Sequence, residues 1–313
     1  MFTDNMIFAG TDVSGVFYSP DNGLSWQSRS NGIKDTAIWG SSNFQIAGFA
    51  VTDSLIFTAT LDTIYSSADY GATWQAVPNT GMTVVNTVYY HLTQNQGAVF
   101  AMTNDYNGIR NVKRTIDNGT NWTGIGQYNA FAFNSGYAYF ATHNRFYLSP
   151  NNGTNCTLQP GTGLPVLNGW LDAMTATDTA IEYLAWVGQY SAIYRTTNNG
   201  QTWDSIYKEQ EVNTMLANGP NVYIGLYSFG VRFSSDTGNT WSALNTGLSS
   251  TAINDLKINN GFLYAATGSG VYKIDLTQIT GISPINIQVS TFSIFPNPAN
   301  ESVTIQVNEN LLA

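Results

Sequence analysis

The chain has 313 residues, only 10% of them charged, with 29 glycines, 13% aromatic residues and a net charge of −9. Disordered chains are charge-rich and poor in aromatics, so this composition excludes disorder and supports a large core. The acidic balance excludes nucleic acid or an anionic membrane surface as partner, and no apolar run is long enough to span a bilayer.

The single cysteine, Cys156, excludes an intrachain disulfide and any cysteine-clustered metal site. Two histidines, His91 and His143, leave almost no material for zinc or triad chemistry. No metal and no cofactor is expected.

In chain order, the first unit opens with two short runs of alternating apolar residues around a Gly-containing turn (IFAGTDVSGVFYS, 7–19) and closes on the octapeptide SPDNGLSW at Trp26. Period-two alternation bounded by Gly, Asn, Asp and Ser reads as strand, turn, strand. No strand is expected ahead of Ile7. The second unit closes on SADYGATW at Trp74, the third on TIDNGTNW at Trp122, and the fourth on a worn copy, SPNNGTNC, at Cys156. The fifth closes on TTNNGQTW at Trp203 and the sixth on SDTGNTW, preceded by Ser234, at Trp241. A seventh unit, 252–276, has the strands without the octapeptide.

Successive octapeptides lie 48, 48, 34, 47 and 38 residues apart. Their average matches a four-stranded propeller blade of about 40–45 residues. No stretch holds a 3.6-residue period over three turns. The expected fold is an all-β propeller of seven four-stranded blades, with the two chain ends sharing or abutting in the closing blade. Six blades with a shared closing blade is the alternative. Closure removes free sheet edges.

The octapeptide has the logic of a hairpin turn. Its third position (Asp21, Asp69, Asp117, Asn151, Asn198, Asp236) can accept bonds from backbone N–H groups just ahead. Its fifth position is always Gly, which adopts positive φ cheaply. The terminal Trp is expected to plug the gap between neighbouring sheets. Cys156 in that slot reads as a small apolar filler, with a reactive thiol as the alternative.

These copies resemble the Asp-box, or BNR repeat, S/T-x-D-x-G-x-T-W/F, over roughly the whole of 1–276. Asp-boxes occur in sialidases, sortilin-type receptors, photosystem assembly factors and two-propeller xyloglucan hydrolases. The resemblance implies that the boxes are structural, not catalysts or metal ligands.

A second periodic position opens the inner strand of several units: Asn86, Asn129, Asp172, Asn213 and Asn254, at intervals of 41 or 43 residues. Two readings stand. Each side chain ties down its own loop, or together they form a polar collar that binds a ligand. Trp39 and Trp170 lie in or near loops leading to inner strands, where exposed aromatics stack on sugars or anchor proteins, core packing being the alternative. Trp186, inside an apolar run, reads as buried.

After Leu276 the pattern changes. Residues 279–290 read as an uncharged linker, and FSIFPNPANESVTIQV (292–307) resembles the start of a type IX secretion C-terminal sorting domain. That resemblance implies a Bacteroidetes-type bacterium, engagement of the type IX machinery, and release or anchoring at the outer-membrane surface. The expected division is 1–278 propeller, 279–290 linker and 291–313 a truncated sorting domain. MFTDNMIFAG has no basic n-region or apolar h-region, so a fragment is expected at both ends. Asp-Ser/Thr-apolar triplets at Asp35, Asp53, Asp62, Asp178 and Asp204 resemble the O-glycosylation site of exported Bacteroidetes proteins, chance and turn chemistry being the alternative.

Enzymatic readings find little material. None of the six arginines stands in the context of a sialidase clamp. Glycoside hydrolysis needs two carboxylates across a cleft. Asp12, in GTDVSGVFY, resembles the segment that carries the catalytic base of two-propeller xyloglucan hydrolases, and Asp172 is the candidate acid. The favoured reading is a secreted or surface-held monomeric propeller that binds a glycan or a surface protein, with no catalytic residue.

Overall fold

The computed structural model describes residues 1–3, 6–34, 36–38, 41–43, 45–78, 80–82, 88–104, 108–143, 145–164, 170–178, 182–187, 192–208, 211–279 and 293–294. These residues form an all-β propeller. They make seven four-stranded antiparallel sheets and one two-stranded hairpin, Thr36–Ile38 with Ser41–Asn43. Each sheet takes its four strands in chain order, innermost first, and the sheets are numbered here in chain order. Their inner strands are Phe2–Thr3, Gly48–Val51, Val88–Asn95, Ala130–Phe133, Trp170–Ala176, Val212–Asn218 and Ile253–Asn259.

Both ends of the chain depart from expectation. A strand does precede Ile7, because Phe2 and Thr3 pair with Ile7 and Met6. Two residues are too few to show alternation, so the sequence gives no sign of it. The seventh sheet takes its fourth strand from the tail: Ile294 and Ser293 pair with Tyr272 and Lys273. The rest of the sorting-domain resemblance, and most of the linker, lie outside the described residues.

Sheets stack face to face, and six apolar clusters fill the spaces between consecutive sheets. The octapeptide's last residue serves the space between its own sheet and the one before. Trp74 packs between sheets 1 and 2, Trp122 between 2 and 3, and Trp203 between 4 and 5. Half-buried Trp241 and Cys156 pack against the clusters between 5 and 6 and between 3 and 4. Burying each indole removes about 150–250 Å² from water. Cys156 holds its place with a weak Sγ–H to the Gly153 carbonyl at 3.8 Å, and burial pushes its thiol pKa up, which disfavours the reactive thiolate.

One hydrogen-bond pattern holds every octapeptide. In the first, Asp21 Oδ1 accepts from Ser19 Oγ at 2.8 Å and from the Ser25 N–H at 2.8 Å, while Oδ2 accepts from Ser25 Oγ at 2.6 Å. Asp69, Asp117 and Asp236 repeat it, and Asn151 and Asn198 keep the Oδ1 half. The fifth-position glycines have positive φ, and so do the fourth-position residues: Asn22 58°, Tyr70 55°, Asn118 56°, Asn152 57°, Asn199 53° and Thr237 59°. Asn tolerates this region better than most residues, which accounts for its frequency there.

A second device joins neighbouring sheets. Arg114, on the third strand of sheet 3, donates to the Asn152 carbonyl of sheet 4 at 2.7 Å. Arg195 of sheet 5 donates to the Thr237 carbonyl of sheet 6 at 2.8 Å. Lys273 of sheet 7 donates to the Asn22 carbonyl of sheet 1 at 3.2 Å. All three acceptors are the fourth residue of an octapeptide, so the last sheet meets the first through the same contact that joins 3 to 4 and 5 to 6.

The octapeptide Trp also anchors the loop ahead of it. Trp74, Trp122 and Trp203 donate their backbone N–H to Asn31, Thr80 and Thr162, each followed by a glycine with φ between 86° and 95°. A Cβ on Gly163 would collide with the Trp203 carbonyl oxygen, whereas one on Gly97, also at positive φ, would meet nothing within 4 Å. Gly163→Ala is therefore expected to cost about 1–3 kcal/mol, a fall in Tm of roughly 2–10 °C at this size. Gly97→Ala, carrying only the φ penalty, should fall clearly less by differential scanning calorimetry. Equal shifts would refute the collision.

Candidate functional site

The periodic polar position of the inner strands coincides with a backbone irregularity. The pairing register shifts between Leu171 and Ala173, between Val212 and Thr214, and between Ile253 and Asp255. Asp172, Asn213 and Asn254 are thus the extra residues of β-bulges at the same place in sheets 5, 6 and 7. Such bulges re-aim a side chain and are over-represented beside functional sites. In sheet 4, Asn129 stands just ahead of the inner strand and donates its N–H to the Ala141 carbonyl at 2.7 Å.

Sheet 3 breaks the expected spacing. Its register shifts between Tyr89 and His91, so Tyr90 occupies the bulge position and Asn86 does not. Asn86 lies outside the described residues. The signal that finds Tyr90 is the octapeptide's first residue. Thr115 pairs with Val99 as Ser149 pairs with Ala138, and three residues further along those strands Met102 faces His91 and Ala141 faces Ala130.

The remaining candidates are scattered. Trp170 opens the inner strand of sheet 5, where it pairs with Val187; Trp186 lies on the next strand, opposite Leu171. Trp39 lies outside the described residues. Asp12 is exposed in the turn of sheet 1 closed by the Thr11 N–H to the Gly15 carbonyl at 3.0 Å, on a different sheet from Asp172.

Two contacts bear on the role of the polar position. Asn213 Nδ2 donates to the Ile253 carbonyl at 2.8 Å, tying sheet 6 to sheet 7, which is the loop-securing behaviour. Arg110 of sheet 3 extends inward, its Nη1 donating to the Asn129 carbonyl at 3.2 Å and the Leu171 carbonyl at 3.1 Å. A guanidinium thus bridges the starts of two inner strands, directly beside Asp172 in the chain.

One residue past the bulge, sequence reasoning missed a charged group. Asp255 pairs with Lys257 at 3.0 Å, each side chain 49% exposed, and lies 3.5 Å from Thr214 Oγ1 of the neighbouring inner strand. Lys257 holds Asp255 below its ordinary value against the opposing effect of burial. His91, at the matching place in sheet 3, feels the charges of both residues across the molecule. Desolvation by the surrounding protein lowers the imidazole pKa from 6.5 to about 4, with Lys257 adding to the shift and Asp255 opposing it, while the residue as a whole is exposed. His91 on sheet 3 and the Asp255–Lys257 pair on sheet 7 thus stand at matching places on their inner strands and influence one another's charge. Among the described residues no group of three His, Cys, Asp or Glu side chains is placed to hold a metal ion, and no helix is long and apolar enough to cross a membrane.

No protein-family profile matches the chain, and no curated protein matches it either. Solved structures do. An ancestral GH74 enzyme superposes with a TM-score of 0.66 at 16% identity, over 92% of this chain and 44% of the enzyme's. The extracellular domain of BT4673 from B. thetaiotaomicron superposes at 0.65 and 10% identity, over 86% of this chain and 36% of that one. The WD40 β-propeller domain of Doa1 superposes at 0.58 and 11% identity, over 86% and 88%. At such identities the likeness establishes the propeller fold and nothing further.

The titrations give a direction for acid stability. The folded His91 pKa lies below its ordinary 6.5, so the unfolded chain binds the extra proton and stability falls as pH drops from about 6.5 towards 4. Asp69 and Asp117, lowered from 3.8 to about 2, chiefly by bonds from Thr73 and Asn121, lose their contribution below that window. Replacing His91 by Gln should flatten Tm against pH between 4 and 6.5 and leave the steeper loss below pH 4. An unchanged slope in the upper window would contradict the assignment.

Proposed function

We propose that the protein is an exported binding scaffold: one ring of seven blades, each sheet a blade, that recognises a glycan or a surface protein and performs no chemistry of its own. The repeated polar bulge carries this reading. Asp172, Asn213 and Asn254 interrupt three successive inner strands at one register, and Asn129 stands at the start of a fourth. The octapeptide network supports a structural, Asp-box role for Asp21, Asp69, Asp117, Asn151, Asn198 and Asp236, since their acceptor oxygens are occupied by their own loops. Ligand contact falls to Trp39, Trp170, Asn129, Asp172, Asn213 and Asn254, with Tyr90 taking the place in sheet 3 that the spacing gave to Asn86.

Export rests on the likeness of 292–307 to a type IX sorting domain and agrees with the extracellular setting of the BT4673 domain. A secreted or outer-membrane surface location in a Bacteroidetes-type bacterium follows, with the type IX machinery as partner and a monomer as the working form. The seven-blade ring rests on the Lys273–Asn22 contact. Lys273→Met should lower Tm by a few degrees, since hydrogen bonds to charged groups contribute about 1.5–3 kcal/mol when well shielded and less at a half-exposed seam. A Tm unmoved by the change would argue against closure through this contact.

A second reading, glycoside hydrolysis with Asp12 as base and Asp172 as acid, draws on the superposition with the GH74 enzyme. This chain spans less than half of that enzyme. Hydrolysis also needs the two carboxylates about 5–10 Å apart.

Affinity electrophoresis of the full chain through gels holding plant, algal and host polysaccharides tests the scaffold reading. Retardation by one polymer, abolished by Trp170→Ala or Trp39→Ala, is expected. Uniform mobility would remove the glycan reading, and release of reducing ends that Asp12→Asn stops would establish the hydrolase instead.

A further inference from the structure

The chain carries only 11 Lys and Arg residues, and seven are engaged internally. Arg29 lies over the Tyr18 ring at 4.5 Å. Arg110, Arg114, Arg195, Lys113 and Lys273 donate to backbone carbonyls, and Lys257 pairs with Asp255. Among the described residues Lys34, Arg145, Lys208 and Arg232 remain without a side-chain partner. Lys34 and Arg145 are isolated, exposed residues. Lys208 and Arg232 line one cleft of about 590 Å³. In a protein of net charge −9, two uncommitted cations in one cavity are an exception to the charge balance.

The cleft opens between sheets 5 and 6. The outer strand Asp204–Tyr207 forms one wall, with Ser205, Ile206 and Tyr207, and Lys208 extends it. Arg232, from the third strand Gly230–Ser234, and Trp241 form the other. Tyr207 meets Trp241 edge to face with centroids 5.4 Å apart. Trp241 Nε1 donates to the Gly238 carbonyl at 3.0 Å, so the indole is fixed and its polar atom satisfied. What it offers the cleft is apolar ring surface.

We propose that this cleft binds the carboxylate of an acidic saccharide, of the uronic acid class. Resting on the glycan reading above, the assignment narrows the ligand and adds a face distinct from the inner-strand collar. Arg presents a planar fork that matches a carboxylate in two parallel hydrogen bonds, and Lys adds a second positive charge beside it. Trp241 supplies the aromatic surface against which a pyranose ring packs, and the Ser205 hydroxyl a partner for a ring hydroxyl. The volume falls within the range of about 300–1,000 Å³ typical of small-ligand pockets. The fixed Trp241 ring surface beside the two cations favours a sugar ring over an acidic peptide, which would pair with the outer strand Asp204–Tyr207 instead.

Isothermal titration of the full-length protein with trigalacturonate, neutral galactotriose and hexaglutamate, at low and high salt, decides it. Trigalacturonate should bind and galactotriose should not. Arg232→Gln and the more exposed Lys208→Gln should each weaken binding at least tenfold, Arg145→Gln should leave it unchanged, and added salt should weaken it. Circular dichroism confirms that each variant is folded. Absence of trigalacturonate binding, or binding indifferent to both cleft variants, overturns the proposal. Hexaglutamate bound as tightly and through the same residues overturns the saccharide assignment in favour of an acidic peptide. Retardation by a neutral polysaccharide that Trp170→Ala abolishes, without uronate binding, would refute this site alone. No binding of any glycan would refute both readings.

Discussion

Face-to-face burial of small sheets is the constraint on which the rest of the structure depends. A four-stranded sheet whose outer strand is often two residues long has two faces to cover, and among the described residues no α-helix is available to cover either. Each sheet therefore needs a neighbour on both sides, and repetition is the only supply. The six inter-sheet clusters show how this is met. Phe57, Tyr139, Ile224 and Leu263 on the second strands are wholly or almost wholly buried between layers. The octapeptide serves this packing. Its Asp or Asn locks the turn, the turn delivers the Trp, and the Trp closes the outside of the layer.

The same constraint explains the scarcity of charge. Sheet faces that meet other sheet faces cannot carry unpaired ions, so a chain built of such faces carries few ionisable residues. Arg114, Arg195 and Lys273 bind carbonyl groups that a positive-φ turn leaves pointing at the neighbouring sheet. These cations act as clamps between layers rather than as members of ion pairs. Uncommitted cations are correspondingly informative, and Lys208 and Arg232 stand out for that reason.

At the innermost edge the architecture gives up regularity. Inner strands start with a bulge in sheets 3, 5, 6 and 7, and the residue after the bulge includes His91, Thr214 and Asp255. A polar residue tolerates a bulge because the ladder is locally broken and its side chain can replace a lost bond, as Asn213 does towards Ile253. At Asn213 the side chain in the bulge is the one that secures the neighbouring sheet, the loop-tying reading of the periodic Asn.

Much of this was legible along the chain because the octapeptide is local. Its Ser, Asp and Gly contact residues two to four positions away, so six turns, their spacing and the strands between them follow from sequence alone. Signals that need a register or a partner sheet were not legible. Tyr90 stands in for Asn86 because the third sheet's strands are longer and its bulge falls later, which only strand pairing reveals. The N-terminal strand and the tail strand of two residues each exist because a sheet edge was waiting for them. His91 feels the charges of Asp255 and Lys257, and Lys208 shares a cleft with Arg232, only when distant segments are packed together. The sequence alone determined the repeating unit, since each turn is made of near neighbours; tertiary structure decided which side chains share a site, since that depends on how the sheets are stacked.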